Sequence, residues 1–273
     1  YFTISGWIYS FFDYRIGYKL SKCEFVGLDN FIYAFGDPYI ITVILNTLII
    51  SILGLLGLPL AGMIAILLSE VRGKKFKKTV QTAITIPNFI SWIIIYSIMF
   101  SLFSNDGLLT TLVRGLSGNR DSTVTLLTNP ETAKLFMVLT NIWKTVGYNS
   151  IIFFAAVTGI DSQLYDAAAV DGAGRWQKIL HITIPGILPT FITLLIISVG
   201  AILNNGFEQY YVFVNPMIQK NIEVLDYYVY RIGMLNNDIP ASTAVSMIKT
   251  FISVVLVFSV NKLSKKTLGQ SIL

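Results

Sequence analysis

The sequence predicts an all-α polytopic membrane protein of about six membrane helices, the first of them truncated. Three observations predict it. Only 13% of the 273 residues are Asp, Glu, Lys or Arg, against about 25% in an ordinary soluble domain. Mean hydropathy is +0.67 and 54% of the residues are hydrophobic, too few polar groups to wet a soluble surface and too much apolar surface for a disordered chain. The apolar stretches are uncharged throughout rather than alternating, which argues for helices and against a transmembrane barrel. A lone Cys23 rules out a disulfide framework.

Residues 1–12 are aromatic and apolar but too short to cross about 30 Å of hydrocarbon. They read as the outer end of the first helix, with no signal-peptide pattern at Tyr1. From Asp13 to Pro38, seven charges among glycines and aromatics read as an interfacial or extracellular excursion. Residues 39–69 form the first full span, uncharged from Tyr39 to Leu68. Gly54, Gly57 and Gly62 permit close packing there, and Pro59 is expected to kink it. A basic knot follows (Arg72, Lys74, Lys75, Lys77, Lys78), and then a second span at 80–103 interrupted by Pro87. Residues 104–134 turn polar and read as an outside loop with a helical turn or two, punctuated by Asn105, Asp106, Gly107, Gly115, Gly118, Asn119, Arg120 and Asp121. The third span, 135–160, contains Asn141, Trp143, Lys144, Tyr148 and Asn149. A polar, alanine-rich loop at 161–184 leads to spans at 185–205 and 241–261. Between those two the chain is mixed, with a strand as the alternative reading of Ile222–Tyr230.

Spans must alternate, so the side of the basic knot decides the side of every loop. With the knot inside, the inner loops hold Lys or Arg at 72, 74, 75, 77, 78, 175, 178, 262, 265 and 266. The outer excursions hold Arg15, Lys19, Lys22, Arg114, Arg120, Lys134, Lys220 and Arg231, over nearly twice the length. Short inner loops carry the Lys/Arg excess, which puts 161–184 in the cytoplasm. The same distribution, scattered between apolar stretches, does not make a nucleic-acid face, and no nucleic-acid partner is expected.

That inner loop reads DSQLYDAAAVDGAGRWQKILHITIP from Asp161 to Pro185. Leu164, Ala167, Ala168 and Asp171 recur at helical spacing, Gly172 and Gly174 allow a sharp bend, and Trp176, Ile179, Leu180 and Thr183 follow on a second short amphipathic piece. Two short helices and a turn fit a groove on a partner protein. An amphipathic loop lying on lipid headgroups fits the same residues.

Asp166-Ala167-Ala168, Gly172, Ile182 and Pro185 resemble the EAA signature of permease subunits in binding-protein-dependent ABC importers, with Asp166 where that family usually has Glu. The surrounding Tyr165 and Asp171-Gly172-Ala173 are similar to sugar permeases of the maltose-permease type. The resemblance extends over Phe25–Phe31, Asn46-Thr47-Leu48, Trp143 with Tyr148-Asn149, Gly206-Phe207-Glu208-Gln209 and Asn215-Pro216. Asp226–Gly233 (DYYVYRIG) looks like the branch that imports complex oligosaccharides in Gram-positive bacteria.

The resemblance implies a type I importer transmembrane domain in a bacterial cytoplasmic membrane. Its partners would be a second, related permease subunit, two ATPase subunits and an extracellular solute-binding protein that delivers an oligosaccharide. ATP and Mg would be held by the partner ATPases. Tyr165, Asp166, Ala167, Ala168, Asp171, Gly172, Ala173, Arg175 and Trp176 would couple to those ATPases, with Asp166 and Arg175 as charged contacts and Trp176 as an aromatic anchor.

The chain itself has no GxxxxGK[ST] phosphate loop, since Gly54-Leu55-Leu56-Gly57 lacks the lysine, and it is not expected to be an enzyme. One His and one Cys make a resident metal unexpected. A path for a polar solute needs side chains that lipid does not tolerate cheaply. Candidates are Asn46, Asn141, Trp143, Lys144, Tyr148, Asn149, Asn204, Asn205, Glu208 and Lys249, with Phe207, Tyr210 and Tyr211 as faces for sugar rings. For the two lysines the plainer account is snorkelling, or pairing with an acid such as Glu208; for the asparagines it is helix–helix hydrogen bonding. An ion-coupled secondary transporter and a non-transporting membrane scaffold are the alternative readings.

Overall fold

A computed structural model describes residues 5–117 and 126–268. Residues 1–4 of the expected first-helix remnant and Gly118, Asn119, Arg120 and Asp121 of the expected outer loop lie outside the described residues. The remainder of that remnant is a 3-10 turn, Gly6–Phe11. The helices, in order, are α1 (Asp29–Gly36), α2 (Pro38–Gly54), α3 (Gly57–Glu70), α4 (Lys74–Phe89), α5 (Trp92–Phe103), α6 (Leu108–Ser117), α7 (Pro130–Thr158), α8 (Ser162–Val170), α9 (Arg175–Lys178), α10 (Ile184–Gly200), α11 (Phe207–Phe213), α12 (Gln219–Ile222), α13 (Leu225–Tyr230) and α14 (Ile239–Leu268). The all-helical reading is borne out. Among the described residues the only β pairing is an isolated bridge between Phe12 and Phe25, and the stretch Ile222–Tyr230 forms no strand: Ile222 ends one short helix, Leu225–Tyr230 is another, and only Glu223 and Val224 between them are extended.

Several boundaries differ from those the sequence suggests. Four of the five residues of the basic knot, Lys74, Lys75, Lys77 and Lys78, open α4 rather than lying in a loop, since lysine has good helix propensity, while Arg72 precedes the helix. The stretch 80–103 is two helices, not one. Pro87 removes a backbone donor near the end of α4, Ile90 is extended, and Ser91 restarts the chain by accepting from the Ile94 amide at 3.5 Å. The 185–205 span begins earlier and stops at Gly200. Its helix runs from Arg175 through a π-turn, Ile179–Thr183, that makes room for Pro185 without a break.

Four helical stretches among the described residues are long and apolar enough to cross a membrane: Pro38–Glu70, Trp92–Ser117, Arg175–Gly200 and Ile239–Lys266. Apolar side chains such as Ile41, Leu45, Ile93, Ile94, Phe251 and Phe258 point outward along them, as lipid-facing positions do. α7 has 29 residues, about 44 Å at 1.5 Å per residue. Its Asn141, Lys144 and Asn149 dilute its hydropathy, so it does not stand out by composition.

The chain divides into two compact units, residues 1–51, 91–137 and 201–256, and residues 52–90, 138–200 and 257–273. In the first, Ala34, Val43, Leu203, Leu225, Tyr228, Ile232 and Val245 form a buried core, and Phe213 packs edge-on against Tyr96 at 5.1 Å. In the second, Leu58, Ala61 and Ala65 of α3 meet Phe153 and Val157 of α7 and Ile187 of α10. Small residues on α3 let the helices approach closely, where packing rather than water exclusion supplies the attraction.

Candidate functional site

In the second unit the inner loop folds as a helical hairpin. Asp161 caps α8, its carboxylate accepting from the Gln163 amide at 2.9 Å. α8 ends on Asp171, and Gly172 takes φ +78°, a left-handed turn that glycine adopts without penalty. The Ala173 amide then closes back on the Ala168 carbonyl at 2.8 Å. Gly174 starts α9, its amide held by Gln177 Oε1 at 2.7 Å. The Tyr165 hydroxyl and Thr183 Oγ1 lie 2.9 Å apart and tie the two arms together.

Most of the predicted coupling residues are brought to one exposed projection. Asp166, Ala167, Asp171, Gly172, Arg175 and Trp176 are exposed, while Tyr165, Ala168 and Ala173 are half-buried. Leu164, Val170, Trp176 and Leu180 turn apolar surface outward, with Val170 88% exposed and Trp176 74%. An alanine-faced helix with protruding apolar tips presents the kind of surface that groove-docking helices carry. The Arg175 guanidinium is engaged within the chain, by Glu70 at the end of α3.

The candidate path residues fall into two groups, one in each unit. In the second unit, Asn141, Trp143, Lys144, Tyr148 and Asn149 lie along α7. Trp143 and Tyr148 are exposed, and Tyr148 meets Phe89 edge-on at 6.5 Å. Lys144 neither snorkels nor pairs with Glu208. It is buried and donates to the carbonyls of Pro87, Asn88 and Ile90 at 3.2, 3.0 and 2.5 Å. These are the carbonyls freed where α4 ends, and a cation there also complements the negative end of the helix dipole. Lys144→Met should therefore cost about 1–3 kcal/mol, seen as a lower thermal midpoint in detergent.

In the first unit, Asn204, Asn205, Glu208 and Lys249 gather around the Gly206 turn. Asp226 links them, forming an ion pair with Lys249 and accepting from the Gly206 amide at 3.2 Å; the acid that pairs with Lys249 is thus Asp226 rather than Glu208, which is exposed. Asn205 accepts from Ser51 Oγ at 3.1 Å. Burial pushes the Tyr210 phenol above its ordinary range, with its hydrogen bond to Asn205 opposing. Phe207 lies against Tyr230 and Tyr211 at 4.6 and 5.0 Å between ring centres, and half of Tyr211 is exposed.

Asn46 is not at a surface. It is buried, and its amide donates to the carbonyls of Lys220 and Glu223 at 2.9 and 3.1 Å. Its neighbour Thr47 accepts from the Leu225 amide at 2.9 Å. The pair pins the 220–225 backbone to α2. Beside it sits a residue that sequence reasoning missed. Glu223 is fully buried and accepts from the Tyr39 hydroxyl at 2.6 Å, Arg231 Nε at 2.6 Å and Gln219 at 3.1 Å. Burial works against the Arg231 charge, but the hydrogen bond and charge of Glu223 outweigh it and hold the guanidinium above its ordinary range. The guanidinium also lies 5.3 and 5.6 Å from the Tyr228 and Tyr39 rings. Gln209 was legible only as part of a motif; it is buried and donates to the Met137 carbonyl at 2.8 Å. Among the described residues no three His, Cys, Asp or Glu side chains gather as a metal site.

Residues 57–268 match the family described as binding-protein-dependent transport system inner membrane component. The chain belongs to this family. It is a membrane-embedded permease component of a transport system, with several apolar helices, and not an enzyme family member. The family match contains the whole exposed hairpin and both groups of polar residues except Asn46. Two relatives from Bacillus subtilis (strain 168) span nearly all of the chain. The polygalacturonan/rhamnogalacturonan transport system permease protein YteP is 38% identical over 268 residues, 97% of this chain and 83% of that protein. Protein LplB is 36% identical over 268 residues with the same coverage.

Solved structures of this family agree with the fold. A chain of a bacterial ABC transporter involved in the import of the acidic polysaccharide alginate superposes with TM-score 0.88 at 32% identity, covering 98% of this chain and 90% of that one. The bacterial alginate ABC transporter in complex with its alginate pentasaccharide-bound periplasmic protein gives TM-score 0.85 at 33% identity, covering 90% and 85%. The permease fold expected from the inner-loop motif is borne out.

Proposed function

We propose that this chain is one permease subunit of an ATP-driven importer that carries oligosaccharides across the cytoplasmic membrane of a Gram-positive bacterium. The observation that carries the proposal is the exposed hairpin Ser162–Lys178 in a permease of this family. A projection this apolar, on the side of the chain that the lysines and arginines mark as cytoplasmic, needs a partner to cover it. Two ATPase subunits, holding ATP and Mg, would take this hairpin and that of a second, related permease. A solute-binding protein would deliver the oligosaccharide from outside. The relatives named for polygalacturonan/rhamnogalacturonan and alginate support a sugar polymer fragment as cargo.

In each unit taken by itself, exposed groups are suited to a hydroxylated solute. Trp143, Tyr148 and Tyr211 offer ring faces, and Asn204 and Glu208 offer hydrogen bonds. Asn46, Lys144 and Lys249 hold those elements in place. The test is uptake into vesicles containing the complex purified with its co-expressed partners and binding protein, using a labelled oligogalacturonate and a neutral maltooligosaccharide. Uptake that requires ATP supports the reading. Uptake that collapses with the ion gradient would mean an ion-coupled carrier, and no uptake with a saturated binding protein would mean a scaffold. Gly172→Trp is expected to reduce ATP-driven uptake at least about tenfold with normal insertion, since a side chain at that φ is strained and blocks the close approach of the hairpin tip.

A further inference from the structure

At its α9 arm the hairpin is joined to the rest of its unit by two separate connections, and the second is not expected from the loop motif. The first is covalent: α9 continues through the π-turn into α10, so Arg175–Gly200 is one 26-residue helix with the hairpin turn at its start. The second is a contact between Arg175 and the last residue of α3. Arg175 Nε and Nη2 each lie 2.9 Å from Glu70 Oε2, and Nη2 also donates to the Glu70 carbonyl at 3.3 Å. That carbonyl is among those a helix leaves unsatisfied at its C-terminus, where a cation meets the negative end of the dipole. The guanidinium fork holds a side chain and a main-chain acceptor of one residue together, which an ammonium point charge does less well.

We infer that Glu70 is a positioning residue, through which Arg175 transmits displacement of the cytoplasmic hairpin to α3 while the continuous helix transmits it to α10. The inference rests on the proposed coupling role of the hairpin. α3 and α10 already share a core through Leu58, Ala61, Ala65 and Ile187, so moving them by different amounts would break that packing. A strap at the cytoplasmic end makes them move as one body. The pair is exposed, Arg175 at 70% and Glu70 at 36%, so it contributes little to folding stability. Its effect is on how much of the hairpin's movement reaches α3.

The experiment compares Glu70→Gln, Arg175→Ala and the double variant in the vesicle complex, reading labelled oligogalacturonate taken up per ATP hydrolysed. Each single variant should lower that ratio about threefold to tenfold, Glu70→Gln with ATP hydrolysis retained, and the double variant should be no worse than the worse single, because both act on the same ion pair. Glu70→Asp, which keeps the charge, should recover most of the ratio. A ratio for Glu70→Gln within about twofold of wild type overturns the inference, as does a double variant whose loss is the product of the singles. Failure of the coupling reading itself is separately visible, as absence of ATP-driven uptake by the wild-type complex.

Discussion

Glu223→Ala should unfold the first unit or leave it at the edge of stability, with an expected cost of about 3–5 kcal/mol. Three donors converge on the carboxylate, and it is fully buried. Removing it strands the Arg231 charge between two tyrosine rings and orphans the Tyr39 hydroxyl and the Gln219 amide. The Coulomb energy of the pair is a poor guide to its worth. What matters is that a buried group deprived of its partner keeps its desolvation cost. Glu223→Gln keeps the shape and an acceptor, so it should cost clearly less than alanine. The measurement is the fraction of monodisperse protein on size exclusion in detergent, with thermal midpoints for both variants. Equal midpoints for wild type and Glu223→Ala would show that this cluster does not hold the unit together.

Gly147→Ala is expected to be almost as damaging, by a different cause. A Cβ built on Gly147 would collide with the Ile84 carbonyl and approach the Thr85 amide at 2.9 Å. Backbone cannot rotate aside as a flexible side chain can. α7 and α4 would have to separate, and the Lys144 bonds to the end of α4 would lengthen with them. Overpacking costs about 1–3 kcal/mol and more where the neighbour cannot yield, so a loss near or above about 3 kcal/mol is expected. The check is again the thermal midpoint. Lys144→Met supplies the reference, since it removes the bonds without forcing the helices apart. A Gly147→Ala midpoint above that of Lys144→Met would contradict the steric account.

Much of the fold and of the hairpin was legible in the sequence, because both are written locally. A span is a run of residues without charge, a turn is a glycine, and the hairpin's small face repeats at helical spacing. The breaks were harder to place. Pro87 and Pro185 carry the same chemical defect, yet the chain ends a helix after the first and continues through the second. What differs is the surroundings: Lys144 stabilises a helix end after Pro87, whereas the π-turn accommodates Pro185 within a continuing helix. The candidate path was less legible still. An asparagine in a span reads the same whether it faces a solute or another helix, and Asn46 proved to be the latter.

Glu223 marks the limit most clearly. It lies in a mixed outer stretch, flanked by Ile222, Val224 and Leu225, and a lone carboxylate among apolar residues was the only sign of its burial. Its donors come from Tyr39, Gln219 and Arg231, the first of them 184 positions away. Taken alone, the sequence determined that the chain crosses a membrane and which loop carries the hairpin, since hydropathy and helical spacing are read within a single stretch of chain. Only the tertiary structure decided which polar side chains are spent inside the protein and which stay exposed. A hydrogen bond or ion pair needs two groups in contact, and contact between distant segments exists only once the chain has folded.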